Sequence, residues 1–244
     1  MSCSEENKPD LSNIDIDDRR EIIEEMEEAG CTPEQESRKE KSETYCEENK
    51  VVVNTFLPCI EDESTANIRS KEEVIERILA LCYIGLKSEQ LEQIHLDSFE
   101  EKYTLTNSFT TNENNFKNSQ NPSDQEMVEA NWKYEGLHVL LWSLGFIEIL
   151  EFPNTYCNVA ADVEIIFSKT KEEFETQAEL RSNSEILDAA DLIYRLDWAC
   201  VDARVNGKEK DLTADGEIVF ERHYVLNWLI NYMGQDWDSI TTDT

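Results

Sequence analysis

Apolar residues recur at intervals of three and four along most of this 244-residue chain, and no set of segments alternates apolar with polar. The pattern predicts helices rather than strands. The run around which the others are arranged extends from Ser182 to Asn206. Ser182 and Glu185 form an S-x-x-E capping box that satisfies two backbone N–H groups at its start, and Asn206-Gly207 tolerate a left-handed conformation at its end. Ile186, Ala189, Leu192, Ile193, Leu196, Ala199, Cys200 and Ala203 make a wide apolar face, as expected of a helix covered on several sides. Asp188, Asp191, Arg195, Trp198 and Asp202 share one narrow stripe. That stripe is read first as the solvated edge of a core helix, with Asp191 and Arg195 as an i,i+4 pair. A sharper reading makes it a partly buried acidic cluster held by one arginine.

Similar signals divide the rest of the chain. Thr32, Pro33 and Gln35 predict a helix start, with the helix continuing to about Asn49. Val51–Ile60 contains Pro58 and is read as an extended apolar strap. Ser70 and Glu73 open a helix over Lys71–Leu86, and residues 88–98 carry a shorter one. Residues 103–122, rich in Thr, Asn and Ser, read as loop with one turn near Phe116. Ser123 and Glu126 open a helix running to Gly145, apolar on nearly all sides from Leu137, and Gly136, Ser143 and Gly145 predict close helix contacts there. One or two short helices fall within 158–180, and the last spans Glu217–Met233. The expectation is an all-α, single-domain helical bundle of about seven helices with long irregular connections, over residues 33–244. Residues 1–32 read as an acidic, largely disordered extension. Asp15–Gly30 within it is a marginal amphipathic segment, read as a frayed terminus in preference to a docking helix.

Composition then narrows the function classes. Asp and Glu number 54 against 22 Lys and Arg, for a net charge of −32. That excludes phosphate-driven nucleic-acid binding and adhesion to an anionic membrane, and it suits a basic protein as partner. The seven cysteines are scattered, with no C-x-x-C, so reduced thiols and a cytoplasmic location are expected. The first residues hold no basic and apolar signal-peptide pattern. The longest apolar stretch, Leu137–Leu150, falls short of the ~20 residues a bilayer needs. The oligomeric state is left open.

Several longer segments carry a family pattern. These are Trp132-Lys-Tyr-Glu-Gly-Leu-His-Val-Leu-Leu-Trp142-Ser-Leu-Gly, Leu180-Arg-Ser with Glu185-Ile-Leu-Asp, and Asp191-Leu-Ile-Tyr-Arg195 with Trp198-Ala and Val201-Asp-Ala-Arg204. Glu221-Arg-His-Tyr-Val-Leu-Asn-Trp-Leu229, Asp236-Trp-Asp and Thr242-Asp-Thr complete it. In these segments the chain resembles the family known as domain of unknown function 4272, from about residue 33 to the C-terminus. The resemblance implies a soluble helical domain and carries no activity with it.

The candidate chemistry is polar and sparse. His223, Asn227 and Asn231 form an i,i+4,i+8 ladder in an otherwise apolar helix, read first as a satisfied interior network. The functional reading places His223 opposite Asp188, Asp191 or Asp202 as a base–carboxylate pair. The candidate cluster is therefore Asp188, Asp191, Arg195, Asp202, Glu221, Arg222, His223 and Asn227. No metal is expected. The pairs to check are Glu135-x-x-His138 and Glu92-x-x-His95, whose spacing is that of di-iron bundles. No cofactor is expected either: the seven glycines form no phosphate loop. The five tryptophans read as core, with Trp237 pinning the tail beside Arg195 or Arg222. Two functions follow as expectations. The first is a non-enzymatic protein–protein interaction module. The alternative is a hydrolase built on an Asp/Glu/His cluster, with or without metal assistance.

Overall fold

The computed structural model describes residues 30–244, so the extension before Gly30, and with it all of the segment from Asp15 but its last residue, lies outside the described residues. Among the described residues there are nine α-helices and no strand. They are α1 (Pro33–Glu48), α2 (Lys71–Ser88), α3 (Gln93–Tyr103), α4 (Thr111–Asn118), α5 (Asp124–Ser143), α6 (Val159–Phe167), α7 (Lys171–Gln177), α8 (Asn183–Val205) and α9 (Gly216–Leu229). The all-helical expectation holds, and the expected count of about seven is low.

Local chemistry sets the starts. The boxes Thr32/Gln35, Ser70/Glu73, Ser123/Glu126 and Ser182/Glu185 all form with both reciprocal hydrogen bonds. Two further boxes, Thr110/Glu113 and Thr170/Glu173, open α4 and α7. The helix α4 corrects the reading of 103–122 as loop. Its polar sequence cannot supply an apolar face, but Glu113 both closes the cap and meets buried Arg77 of α2 at 2.5 Å. The last helix also stops earlier than expected. Asn231 and Met233 have positive φ values of 55° and 50°, so Asn231 leaves the helix and the ladder through it is broken.

The most enclosed helix is α2, buried without interruption from Arg77 to Leu86, and it packs chiefly against α5. The central helix of the sequence pattern, α8, packs against α1 on one side and α9 on another, while α9 also contacts α5. At the α5–α9 crossing, a Cβ on Gly136 would stand 2.7 Å from Val225 Cγ2. The close contact expected at Gly136 is therefore present. Trp237 is buried against Trp228 and Tyr224 with the Arg77 guanidinium 4.8 Å from its ring, so its cation partner is Arg77 and not Arg195 or Arg222.

Residues 51–60 form the extended strap, and α1 holds it by side chains that reach its carbonyls. Lys39 donates to Thr55 and Leu57, and Gln35 donates to Ile60. Just beyond, Asp62 accepts from Ser64 and Thr32, which hold its carboxyl down at about 2. Cys31 and Cys59 are joined in a disulfide that closes this connection. The expectation of seven reduced thiols is corrected here: the pair is brought together by α1 and the strap, which sequence separation of 28 conceals. Cys46, Cys82, Cys157 and Cys200 are free. No helix among the described residues is long and apolar enough to cross a membrane.

Two stability tests follow. Replacing Cys31 and Cys59 by serine should lower unfolding free energy by about 2–4 kcal/mol in urea titrations, and reductant should reproduce the loss in the wild type. Gly136→Ala should destabilise by about 1–2 kcal/mol, because overpacking against a stiff valine outweighs the helix propensity gained.

Candidate functional site

The rotational positions of residues on α8 and α9 decide which polar groups meet. On α8, Ile186, Ala190, Ile193, Asp197 and Cys200 form one row spaced by four and three, and all five are buried. Asp197 interrupts this apolar row and faces α9. There its Oδ2 lies 2.8 Å from His223 Nδ1. His223 Nε2 lies 3.1 Å from Asn227 Nδ2, which also donates to the Thr241 carbonyl at 2.9 Å.

Donor counting on the Asn227 amide assigns the roles of the two His223 ring nitrogens. The two hydrogens of the Asn227 amide go to Thr241 and to His223, so Nε2 acts as acceptor and Nδ1–H donates to Asp197. His223 is only 1% exposed. It forms part of the wall of a cavity of about 380 Å³ under the strap, which Glu61 also lines. Burial raises the Glu61 carboxyl, against its own backbone N–H and Arg38, which lower it.

The candidate residues are distributed over separate contacts rather than gathered in one cleft. Asp191 and Arg195 form a two-pronged pair at 2.9 and 2.7 Å, both buried, and Arg195 extends to the Pro58 carbonyl and to Glu43. This is a buried clamp beneath α1 and the strap, not a solvated edge. Asp188 sits half-exposed between Arg38 and Lys41. Asp202, about 21 Å from Asp188 along the helix axis, accepts from Asn206 at the helix end. The triplet on α9 splays by about 100° per residue, sending Glu221 to Lys133, Arg222 to Glu135 and His223 to Asp197. The carboxylate partner of His223 is thus Asp197, not Asp188, Asp191 or Asp202. Only Asp191 with Arg195, and His223 with Asn227, are in direct contact among the expected eight.

The Glu135/His138 pair singled out for a metal check, where none was expected, also separates. Glu135 turns to Arg222 and accepts from the Cys157 backbone N–H at 2.5 Å, whereas His138 Nδ1 lies 2.9 Å from Asp162 Oδ2. Cys157 stands beside His138 and Asp162, with ligand-capable atoms of all three within 4.8 Å of one another. Burial, then the charges of Glu135 and Asp162, push the Cys157 thiol up, which opposes a role as a free thiolate nucleophile.

The surface presents a different feature. A groove of about 760 Å³ runs between α1 and the 148–153 loop, with α8 as its floor. Ala189, Leu192 and Leu196 line the floor, and Tyr45 and Ile149 stand exposed at its edges. Glu40, Glu48, Glu148 and Glu151 are exposed around it.

The family model described as "Domain of unknown function (DUF4272)" matches residues 38–240. The chain belongs to the DUF4272 family. The match takes in α8, α9, the strap and the groove of this DUF4272 domain, and leaves outside it Cys31 and Thr32 at the start of α1. No curated protein and no solved structure matches the chain.

Sequence reasoning missed Asp197, Glu61 and Cys157. For Asp197 a signal existed: a lone carboxylate in an apolar heptad row needs a partner across the interface. Asp197→Ala should therefore cost about 1–3 kcal/mol by leaving the His223 Nδ1–H unpaired, whereas Asp197→Asn, whose amide oxygen accepts the same hydrogen, should cost less. Paired urea titrations of the two variants check the order.

Proposed function

We propose that this chain is a single-domain, non-enzymatic interaction module that captures a basic amphipathic segment of a partner protein in the groove over α8. The observation that carries this reading is an apolar floor bordered by exposed carboxylates. Leu192 and Ala189 offer contact area, and Glu40, Glu48, Glu148 and Glu151 select cationic side chains around it. A net charge of −32 extends the same attraction to long range and speeds encounter with a basic partner.

The hydrolase reading is second. One observation favours it, the shared cavity of His223 and Glu61. Against it, the Asn227 amide takes the nitrogen that a general base would use.

The test is a titration of the purified protein with a fluorescent amphipathic helical peptide bearing lysines on one face and leucines on the other. A matched peptide with glutamates in place of lysines serves as control. The expected result is saturable 1:1 binding of the basic peptide only. Affinity should fall at least tenfold in a Glu40→Lys, Glu148→Lys, Glu151→Lys variant, and at least fivefold in Leu192→Asp. Undiminished binding in both variants, or none to any basic peptide, would overturn the proposal.

A further inference from the structure

We propose that His138, Cys157 and Asp162 form a binding site for one divalent transition-metal ion of the zinc class. This inference is independent of the groove over α8. The three residues come from different parts of the fold: His138 from α5, Cys157 from the loop that follows the 148–153 segment, and Asp162 from the first turn of α6. Nothing in an apolar packing scheme requires a thiol, an imidazole and a carboxylate to meet at one point. Their ligand-capable atoms nevertheless lie within 4.8 Å of one another.

The distances suit a tetrahedral ion. Nitrogen and oxygen ligands at about 2.0–2.2 Å from such an ion stand about 3.3–3.5 Å apart, and a sulfur at about 2.3 Å stands slightly farther from each. His138 Nδ1 and Asp162 Oδ2 are 2.9 Å apart. Seating an ion therefore opens that contact by about half an ångström and draws the sulfur inward by about one at most. Cys157 supplies the adjustment: it sits on a loop and its sulfur makes a long contact of 3.5 Å to the Tyr134 carbonyl, besides its interaction with Glu135.

Charge and access agree with this. A thiolate, a carboxylate and a neutral imidazole together carry −2, which balances a divalent cation. A sulfur and nitrogen donor set selects zinc-like ions over magnesium or calcium. Glu135 receives the Cys157 backbone N–H and is anchored by Arg222, so the loop carrying the sulfur is held from behind. That is the kind of support that orients ligating residues. Asp162 is buried while Cys157 is half-exposed and borders a surface groove of about 500 Å³ with Trp132 and Tyr156. Of the three ligands, Cys157 is the one that faces this groove.

Cobalt(II) and zinc(II) salts are the probes, added to the purified full chain after chelator treatment. The expected result is one equivalent of cobalt bound with a thiolate-to-cobalt charge-transfer absorption, displaced by one equivalent of zinc. Cys157→Ser should abolish that absorption, and His138→Gln and Asp162→Asn should each weaken binding at least tenfold. X-ray absorption of the zinc-loaded wild type needs no variant to fold. It should show one sulfur with nitrogen and oxygen neighbours. A shell without sulfur, a shell with two or more, or cobalt binding unchanged in Cys157→Ser overturns the assignment.

Discussion

A charge taken out of water must be paired, and this requirement governs how the helices around α8 sit. Asp191, Arg195 and Asp197 are all buried on that one helix, and each is answered by a group outside its own turn or from another element. Removing one member of the Asp191–Arg195 ion pair costs about 3–5 kcal/mol, because the other charge remains buried and uncompensated. An apolar stripe tolerates a small helix rotation. A carboxylate 2.8 Å from an imidazole does not. Asp197–His223 therefore sets the rotation of α8 against α9. Arg195, reaching Glu43 and the Pro58 carbonyl, sets it against α1 and the strap. Arg222–Glu135 and Arg77–Glu113 do the same for α5 and α4.

Capping made the helix starts legible, because the interaction is local and written in four consecutive residues. Thr110–Glu113 and Thr170–Glu173 carry the same signature as the boxes around Ser70 and Ser182; α7 falls within the one or two short helices expected over 158–180, whereas α4 lies in a stretch that reads as loop. They are short and polar, so hydrophobic periodicity offers little to see. Their stability comes from tertiary contacts, in α4 the reach of Glu113 to Arg77 and in α7 the burial of Phe174. The strap was legible from Pro58. Its disulfide was not, because pairing depends on where α1 brings Cys31, and no local pattern encodes that distance.

The polar site was legible in composition and not in arrangement. His223 and Asn227 are four residues apart on one helix, so their contact follows from the period alone. The partner of His223 lies on another helix, and choosing it requires the rotation of α8 relative to α9. The charged stripe of Asp188, Asp191 and Asp202 drew attention because its members align. Alignment along a helix spreads groups over about 21 Å instead of gathering them. Asp197 stood alone in an apolar row, a less conspicuous pattern with a stronger physical implication. Cys157, His138 and Asp162 belong to the same class: the spacing in sequence is irregular because the convergence is made by the loop between α5 and α6.

The division of charge between interior and surface follows from the same physics. Inside, carboxylates are matched with arginine, lysine or imidazole, and matched groups are held in place and have little capacity left for a substrate. The chain carries 32 more carboxylates than cationic side chains, and that excess has to be accommodated where water screens it. Around the groove, exposed glutamates stand beside Ala189 and Leu192 of α8, which the fold covers only in part. Self-repulsion among such carboxylates would fall on approach of a cationic surface, which is the physical basis of the proposed association. If the groove takes a partner as proposed, buried pairs that fix the rotation of α8 would lower the ordering cost of binding. On the proposed reading, the residues that first suggest catalysis instead hold the shape of the groove over α8.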